Sequence, residues 1–506
     1  MIISVLILAV FLGAALLMFL RKLPALLALP LMVFGIGIVE ILFGRLSLEE
    51  FSLAVLADGA VRLHEPMVIS MFGGILSLLL QKSGVAESII RRGAELAGDN
   101  PWVVSLVMMG TVALLFTTVG GLGAVIMVGT IVLPILASIG VREVLSSGIL
   151  LFGITLGGLL NANNWALYKS VLHLNDAVVS SYAFVVCGAT SLGALAFITI
   201  GLLRSGNMRL HVSRFALRWR IMIAAFGIAV LVVLVGSASH RIGSILPWAT
   251  GLIIVGGIAH SMIDSVRTGK GERVIQIRWY AYLTTIVPLL LILVFSLPFV
   301  TAFLCGIVYG IATTLRRGSL NMLSRSVIEG SASVIPAVVL MIGIGMLISA
   351  ILGPTRGGIA KSWYEKPTTI EMSSLPGDTA STDREWPVSA DMKPLIQTIV
   401  PRSAMSYVLI FTLLGPLALY RGPLNIWGLG YGVGGVLLAT GVPPGAIMGI
   451  LMSLGIIQGV SDPTNTQNVW IANELRVGVN EILWQTLPYA WGVALLGILA
   501  AAFRFY

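Results

Sequence analysis

The sequence predicts an all-α polytopic membrane protein folded as two inverted-topology repeats, and three observations predict it. Apolar residues (AVILMFWYC) make up 57% of the 506, while charged residues make up 10%, against about 25% charged in a soluble domain. Apolar runs of about 20 residues, the length that crosses a hydrocarbon core, recur from one end to the other. Residues in the first part also recur in the second in the same order. So few charges cannot cover a globular surface of this size, so the solvent is lipid.

The candidate segments are roughly 2–20, 24–44, 64–82, 101–118, 124–139, 146–175 (interrupted), 182–203, 221–237, 245–263, 279–296, 298–315, 332–352, 400–420, 425–441, 445–476 (interrupted) and 484–504. All are expected to be helical, because unpaired backbone is too costly in lipid. With the Arg21–Lys22 turn inside, nineteen of the 31 basic residues fall on cytoplasmic loops, as positive-inside bias requires. Both termini are then external, and a bacterial inner membrane suits the pattern. The polar stretch Gly353–Val400, with Pro354, Pro367, Pro376, Pro387 and Pro394, reads as an external connecting loop. Residues 204–278 read as a basic cytoplasmic loop with linker helices, dividing a repeat over 1–203 from one over 279–506.

Chemistry other than transport finds little support. Cys187 and Cys305 lie in apolar runs and cannot build a disulfide framework or a metal cluster. The histidines His64, His173, His211, His240 and His260 are scattered and stand in no catalytic or metal motif. With no nucleophile–base pair and no nucleotide-binding motif, neither an enzyme nor an ATP-driven pump is expected, and no cofactor. The +9 formal charge belongs to membrane orientation and implies no nucleic-acid partner. Glu40, His260 and Glu329, near span ends, read as structural.

Pro66 to Gly73 (PMVISMFG) matches Pro336 to Gly343 (PAVVLMIG). Further on, Gly120, Leu122, Leu136, Ala137, Gly153, Gly157 and Asn163 match Gly422, Leu424, Leu438, Ala439, Gly455, Gly459 and Asn465, a shift of 302 residues. One insertion, the polar loop of the second copy, explains the changed offset. Charge counting sends the Pro66 helix inward and the Pro336 helix outward, so the copies are antiparallel. That is the construction of secondary transporters, with substrate near the midplane at corresponding helix breaks.

The repeat locates two half-sites. In the first, segments 101–118 and 124–139 meet at Val119-Gly120-Gly121-Leu122-Gly123, and the next helix meets Asn161-Ala162-Asn163-Asn164-Trp165. In the second, 400–420 and 425–441 meet at Arg421-Gly422-Pro423-Leu424-Asn425, and the next helix meets Ser461-Asp462-Pro463-Thr464-Asn465-Thr466-Gln467-Asn468. These read as re-entrant hairpins with tips at 119–123 and 421–425, each followed by a helix unwound at 161–165 or 461–468. Ordinary turns between full spans would keep the same sidedness, and the asparagines could equally be polar glue between helices. As a site, glycines Gly120, Gly121, Gly123 and Gly422 let a ligand approach the backbone. Half-helix N-termini suit a carboxylate. Asn161, Asn163, Asn164, Asn425, Ser461, Thr464, Asn465, Thr466 and Asn468 supply neutral hydrogen bonds. Lys169 and Arg421 are candidate anion contacts. Asp462, ionisable at membrane depth, could carry a coupling proton, coordinate sodium or cap a helix.

This layout of scaffold helices, re-entrant hairpin and broken helix, given twice and inverted, resembles the ion transporter superfamily of gluconate, lactate, citrate and dicarboxylate permeases. The tips read VGGLG and RGPLN, where the sodium–dicarboxylate branch carries a Ser-Asn-Thr signature. The resemblance implies an elevator mechanism in a homodimer, with substrate contacts at the tips Gly120–Gly123 and Gly422–Asn425 and the breaks Asn161–Asn164 and Ser461–Asn468. The expected function is secondary transport of a small organic anion coupled to a proton or sodium gradient, with sodium as a possible bound ion. A sodium/proton antiporter is the alternative, and a channel or an intramembrane enzyme is more remote.

Overall fold

The computed structural model describes residues 2–20, 22–206, 240–267, 277–314, 319–355, 359, 386–396, 400–401 and 403–506. Among these the regular structure is helical throughout. Six helices are long and apolar enough to cross a membrane, or eight if each bent pair counts as one span. The chain is a multi-pass membrane protein. The expected span at 221–237 and the greater part of the polar loop lie outside the described residues.

The first helices are α1 (Ile2–Phe19) and α2 (Ala25–Leu42). A helical run from Leu48 to Val61, π-helical over Phe51–Ala57, leads into α3 (His64–Lys82). Next come α4 (Val85–Ala97), α5 (Pro101–Phe116), α6 (Leu122–Ser138), α7 (Glu143–Leu159), α8 (Ala162–Leu172) and α9 (Asp176–Arg204). Neither the run Leu48–Val61 nor α4 is expected from apolar run length, because their charges interrupt it. Each is amphipathic or capped instead, and Ser47 and Glu50 close a capping box.

Beyond the described gap lie α10 (His240–Arg267), α11 (Val287–Phe295), α12 (Phe299–Thr313) and α13 (Ser319–Leu352). The polar loop then contributes a helix of its own, α14 (Pro387–Ile396), where a plain connector was expected. It is docked: Trp386 donates its indole N–H to Ala350 O at 2.8 Å, and Val388 and Met392 are buried. The loop's start is anchored too, as Asp58 accepts the backbone N–H groups of Thr355 and Ile359 at 2.7 and 2.8 Å. The chain ends with α15 (Ala404–Leu413), α16 (Tyr431–Ala439), α17 (Pro444–Ser461), α18 (Thr466–Leu475) and α19 (Val479–Phe505).

Lipid removes the hydrophobic drive between helices, so small residues and close backbone approach hold them together. The crossing of the Leu48–Lys82 segment with α13 is built this way. A Cβ on Gly59 would lie 2.6 Å from Met346 Cα, and one on Gly74 would lie 2.4 Å from Gly330 O. The two run antiparallel, since Arg62 reaches Ser349 Oγ and Gly353 O near one end while Lys82 pairs with Glu329 near the other. Elsewhere α5 lies along α7, where a Cβ on Gly157 would sit 2.4 Å from Ala113 O. Tyr182 of α9 bridges α17 and α19, bonded to Ser453 Oγ at 2.9 Å and Gly497 O at 2.8 Å.

Gly74→Ala is expected to cost about 1–3 kcal/mol by overpacking the crossing, read as a lowered thermal midpoint of the purified protein. Gly13→Ala is the control, because a Cβ there meets nothing within 4 Å; equal midpoints for both variants would contradict the crossing.

Candidate functional site

Both expected helix breaks exist, and both are shorter than the sequence suggests. Helices α7 and α8 meet at a 52° bend with only Leu160 and Asn161 between them. Asn163, Asn164 and Trp165, expected to be unwound, form the first turn of α8. The cause is Asn161, whose side chain caps that turn by accepting the Asn163 N–H at 3.0 Å. In the second copy α17 runs through Ser461 and the helix resumes at Thr466, so only Asp462–Asn465 is irregular and Thr466, Gln467 and Asn468 are helical.

A helix that ends inside a bilayer leaves carbonyl groups without partners. Side chains from the next helix fill this need at both breaks. Asn164 donates to Gly158 O at 2.7 Å, and the Trp165 indole donates to Leu159 O at 2.7 Å. Correspondingly Gln467 donates to Gly459 O at 2.9 Å, Asn468 to Val460 O at 3.0 Å and Asn465 to Gln458 O at 3.5 Å. Most of the asparagine amides are thus spent on the protein's own backbone. What remains is acceptor capacity: Asn163 Oδ1, Asn468 Oδ1 and Thr155 Oγ1 are buried without a hydrogen-bond partner.

Asp462 is 1% exposed and sits at the C-terminal end of α17, the negative end of the helix dipole. Its carboxylate offsets that position by accepting five donors. Oδ1 accepts Tyr420 N at 3.0 Å, Thr464 N at 2.9 Å and Thr464 Oγ1 at 2.7 Å, while Oδ2 accepts Asn425 Nδ2 at 3.1 Å and Arg421 N at 3.4 Å. The carboxylate therefore binds the second hairpin tip to the second break. Tyr420 and Arg421 adopt left-handed φ values of 56° and 54° to present their N–H groups. Asn425 also donates to Ala418 O at 2.9 Å, and Gln458 accepts Ile426 N at 3.0 Å. In the first copy Asn161 plays the tying role, donating to Phe116 O at 3.1 Å.

Both hairpins have short arms. α5 and α6 span 16 and 17 residues, and α15 with the 3₁₀ turn Gly415–Arg421 bends by 41°. The tips differ in packing. A Cβ on Gly120, Gly121 or Gly123 would meet nothing within 4 Å, whereas one on Gly422 would lie 2.3 Å from Leu417 O. The first tip is open and the second is sealed.

The helices around the two breaks pack against one another. A Cβ on Gly129 of α6 would touch the Trp470 ring of α18 at 2.5 Å, and Tyr168 of α8 packs on Tyr431 of α16 with ring centroids 6.0 Å apart. A Cβ on Gly459 would meet Thr155 Oγ1 at 2.6 Å, where α17 crosses α7. Asn163 lies against Gly73 of α3. Ser461 bonds to Thr486 of α19 at 2.9 Å and stands apart from this junction.

The two cations part company. Lys169 is paired with Asp176 at 2.7 Å and lies over the Phe299 ring, 4.4 Å from its centroid. The Arg421 guanidinium has no ion pair or hydrogen bond among the described residues, and its own N–H anchors it beside the second break. The N-terminus of α18 also lacks a side-chain cap, and Thr466 there is exposed. Thr155 and Gln458 were not singled out from the sequence, and Gln467 was named only as part of the Ser461–Asn468 break. For the two glutamines a signal existed, since each interrupts or adjoins an apolar half-helix. For Thr155, on an unbroken helix, there was none.

No protein-family model matches the chain, and no curated protein sequence matches it. Among solved structures, MtrF of Neisseria gonorrhoeae, reported with a class of antimetabolite efflux pumps, is similar at 15% identity and a TM-score of 0.47. The match covers 93% of this chain and 84% of that one.

Asp462→Asn keeps the shape but turns an amide toward donors. It is expected to cost about 2–3 kcal/mol, the scale of hydrogen bonds to a charged group, and to expose the Gly422–Asn425 tip to a cysteine-directed probe placed at Leu424. Unchanged thermal stability and unchanged labelling would show that the carboxylate does not hold the tip.

Proposed function

We propose that the chain is a secondary active transporter of a small organic anion, a carboxylate, driven by a proton or sodium gradient across a bacterial inner membrane. In this reading it is a permease of the ion transporter superfamily type, built from inverted repeats and working as a homodimeric elevator. The observation that carries the substrate class lies at one break, where the Arg421 guanidinium has no ion pair or hydrogen bond among the described residues and the N-terminus of α18 has no side-chain cap. The Arg421 and Thr464 backbone N–H groups both bond to the Asp462 carboxylate, which ties the Arg421 backbone to the turn that precedes α18. A guanidinium and backbone N–H groups in low dielectric are the natural partners of a carboxylate. The leftover acceptors Asn163 Oδ1, Asn468 Oδ1 and Thr155 Oγ1 suit a coupling cation or the donor groups of the substrate.

The repeat reading gains support from contacts that exchange under the shift found in the sequence. Moving Gly129 and Tyr168 on by 302 residues gives Tyr431 and Trp470, so the Gly129–Trp470 contact and the Tyr168–Tyr431 contact are one contact seen twice. Gly59 meets Gly345 and Gly74 meets Gly330, a crossed pair related by 271 residues, one more than the 270 that relates Pro66 to Pro336. The alternative of a sodium/proton antiporter carried by Asp462 draws less support, because the five donors already occupy that carboxylate.

In proteoliposomes, Arg421→Gln is expected to lower counterflow of a labelled carboxylate by about tenfold or more, the loss of one charge-assisted contact. Lys169→Gln is expected to change it by less than about twofold, because that ammonium is neutralised by Asp176. Absence of exchange for every carboxylate offered to the native protein would overturn the substrate class; equal losses in both variants would overturn the role of Arg421.

A further inference from the structure

Outside the two breaks, the last turn of α2 buries a carboxyl group. Glu40 is 0% exposed, and neither Oε1 nor Oε2 has a hydrogen-bond partner among the described residues. Its own carbonyl closes the helix by accepting Arg45 N at 2.9 Å, which puts the side chain at the negative end of the helix dipole. The second carboxyl of the neighbourhood is Asp391 of α14. Asp391 Oδ1 pairs with Arg45 at 2.9 Å, while its Oδ2 is buried and unpartnered.

Arg45 links the two carboxyl-bearing residues, its backbone N–H bonded to Glu40 O and its guanidinium to Asp391. α1 and the turn Ile426–Gly430, both packed on α2, carry no ionisable side chain. The ionisable groups of α13, Arg325 and Glu329, lie toward its Lys82-paired end. In the Leu48–Val61 run, Glu49 is exposed, Glu50 is half-buried and accepts Ser47 N at 2.9 Å, and Asp58 is bonded to Thr355 and Ile359. Lys393 is the remaining charge on α14. One half-exposed guanidinium therefore faces two carboxyls and three unsatisfied oxygens, in a place where an ionised carboxylate without donors is very costly.

We propose that Glu40 and Asp391 form a proton-binding site, with the proton on Glu40, and that its filling decides whether helix α14 stays docked. A neutral Glu40 removes the repulsion with Asp391 and the conflict with the helix end. The proton comes from bulk water and returns to it, and no other bond changes. On its loss, two like charges meet in low dielectric, and the mobile partner is α14. That helix is held by Ser4 Oγ donating to Asp391 O at 2.7 Å, by Arg45, and by the Trp386 indole. Because α14 touches α1, α13 and α16, its release would free the second arm of the second hairpin.

The test uses the full-length protein in lipid nanodiscs with Cys187→Ala and Cys305→Ala, and nitroxide labels at Leu12→Cys on α1 and Ala390→Cys on α14. Pulsed dipolar spectroscopy is expected to give one short distance at about pH 5 and a docked population about tenfold smaller at about pH 9. Glu40→Gln is expected to keep the short distance at both. If Glu40→Gln does not fold, Glu40→Met, also neutral at every pH, replaces it. Infrared spectra should show a protonated carboxyl band lost in the neutral variant and kept in Asp391→Asn. The proposal is overturned by a pH-invariant distance in the native protein, by a pH-dependent one in the Glu40 variants, or by a carboxyl band that survives them. Docking driven by sodium at constant pH would overturn it as well.

Discussion

Backbone opened inside a bilayer must find partners within the protein, and that requirement organises this molecule. Water is not there to satisfy a carbonyl at Gly158 or Val460, so asparagine, glutamine and tryptophan side chains from the following helix do so. The Asp462 carboxylate performs the converse service for N–H groups. It gathers donors from a loop some 40 residues earlier and from its own turn, and so joins two pieces of chain that lipid would otherwise force apart.

This accounting changes how a polar cluster in a membrane helix is to be weighed. Counted in sequence, the breaks look like a rich supply of hydrogen bonds for a ligand. Counted in structure, most of the amide donors are already used on carbonyls, and Asp462 on N–H groups. The capacity left over is lopsided: acceptors on Asn163, Asn468 and Thr155, a positive helix end at Thr466, and the guanidinium of Arg421. The asparagine amides act as glue between chain segments, while the oxygens of Asn163 and Asn468 stay without a hydrogen-bond partner among the described residues.

Much of the architecture was legible because lipid imposes a simple rule on run length. The helices on either side of Gly120–Gly121, the two helix interruptions and the antiparallel course of α3 and α13 follow from apolar stretches, prolines and charge placement. The helical run Leu48–Val61, α4 and α14 were hidden because amphipathic helices at the edge of the membrane break that rule. Break boundaries were overestimated because capping is a matter of geometry: nothing in the letters Asn-Ala-Asn-Asn says that the first of them will cap and the rest coil. The partners of Asp462 were beyond reach for a related reason, since they depend on how a hairpin folds back across tens of residues. Lys169 looked like a free cation until the fold placed Asp176 against it.

The glycine crossing between the Leu48–Lys82 segment and α13 has a consequence for how such a protein can change over evolutionary time. Where main chain rests directly on main chain, at Gly59, Gly74, Gly330 and Gly345, there is no side chain whose replacement a neighbour could accommodate. Descendants of this sequence are free to rewrite the open turn at Gly120–Gly123, where an added Cβ meets nothing within 4 Å. They inherit the crossing unaltered, as a hinge pin whose diameter is fixed by the peptide group itself.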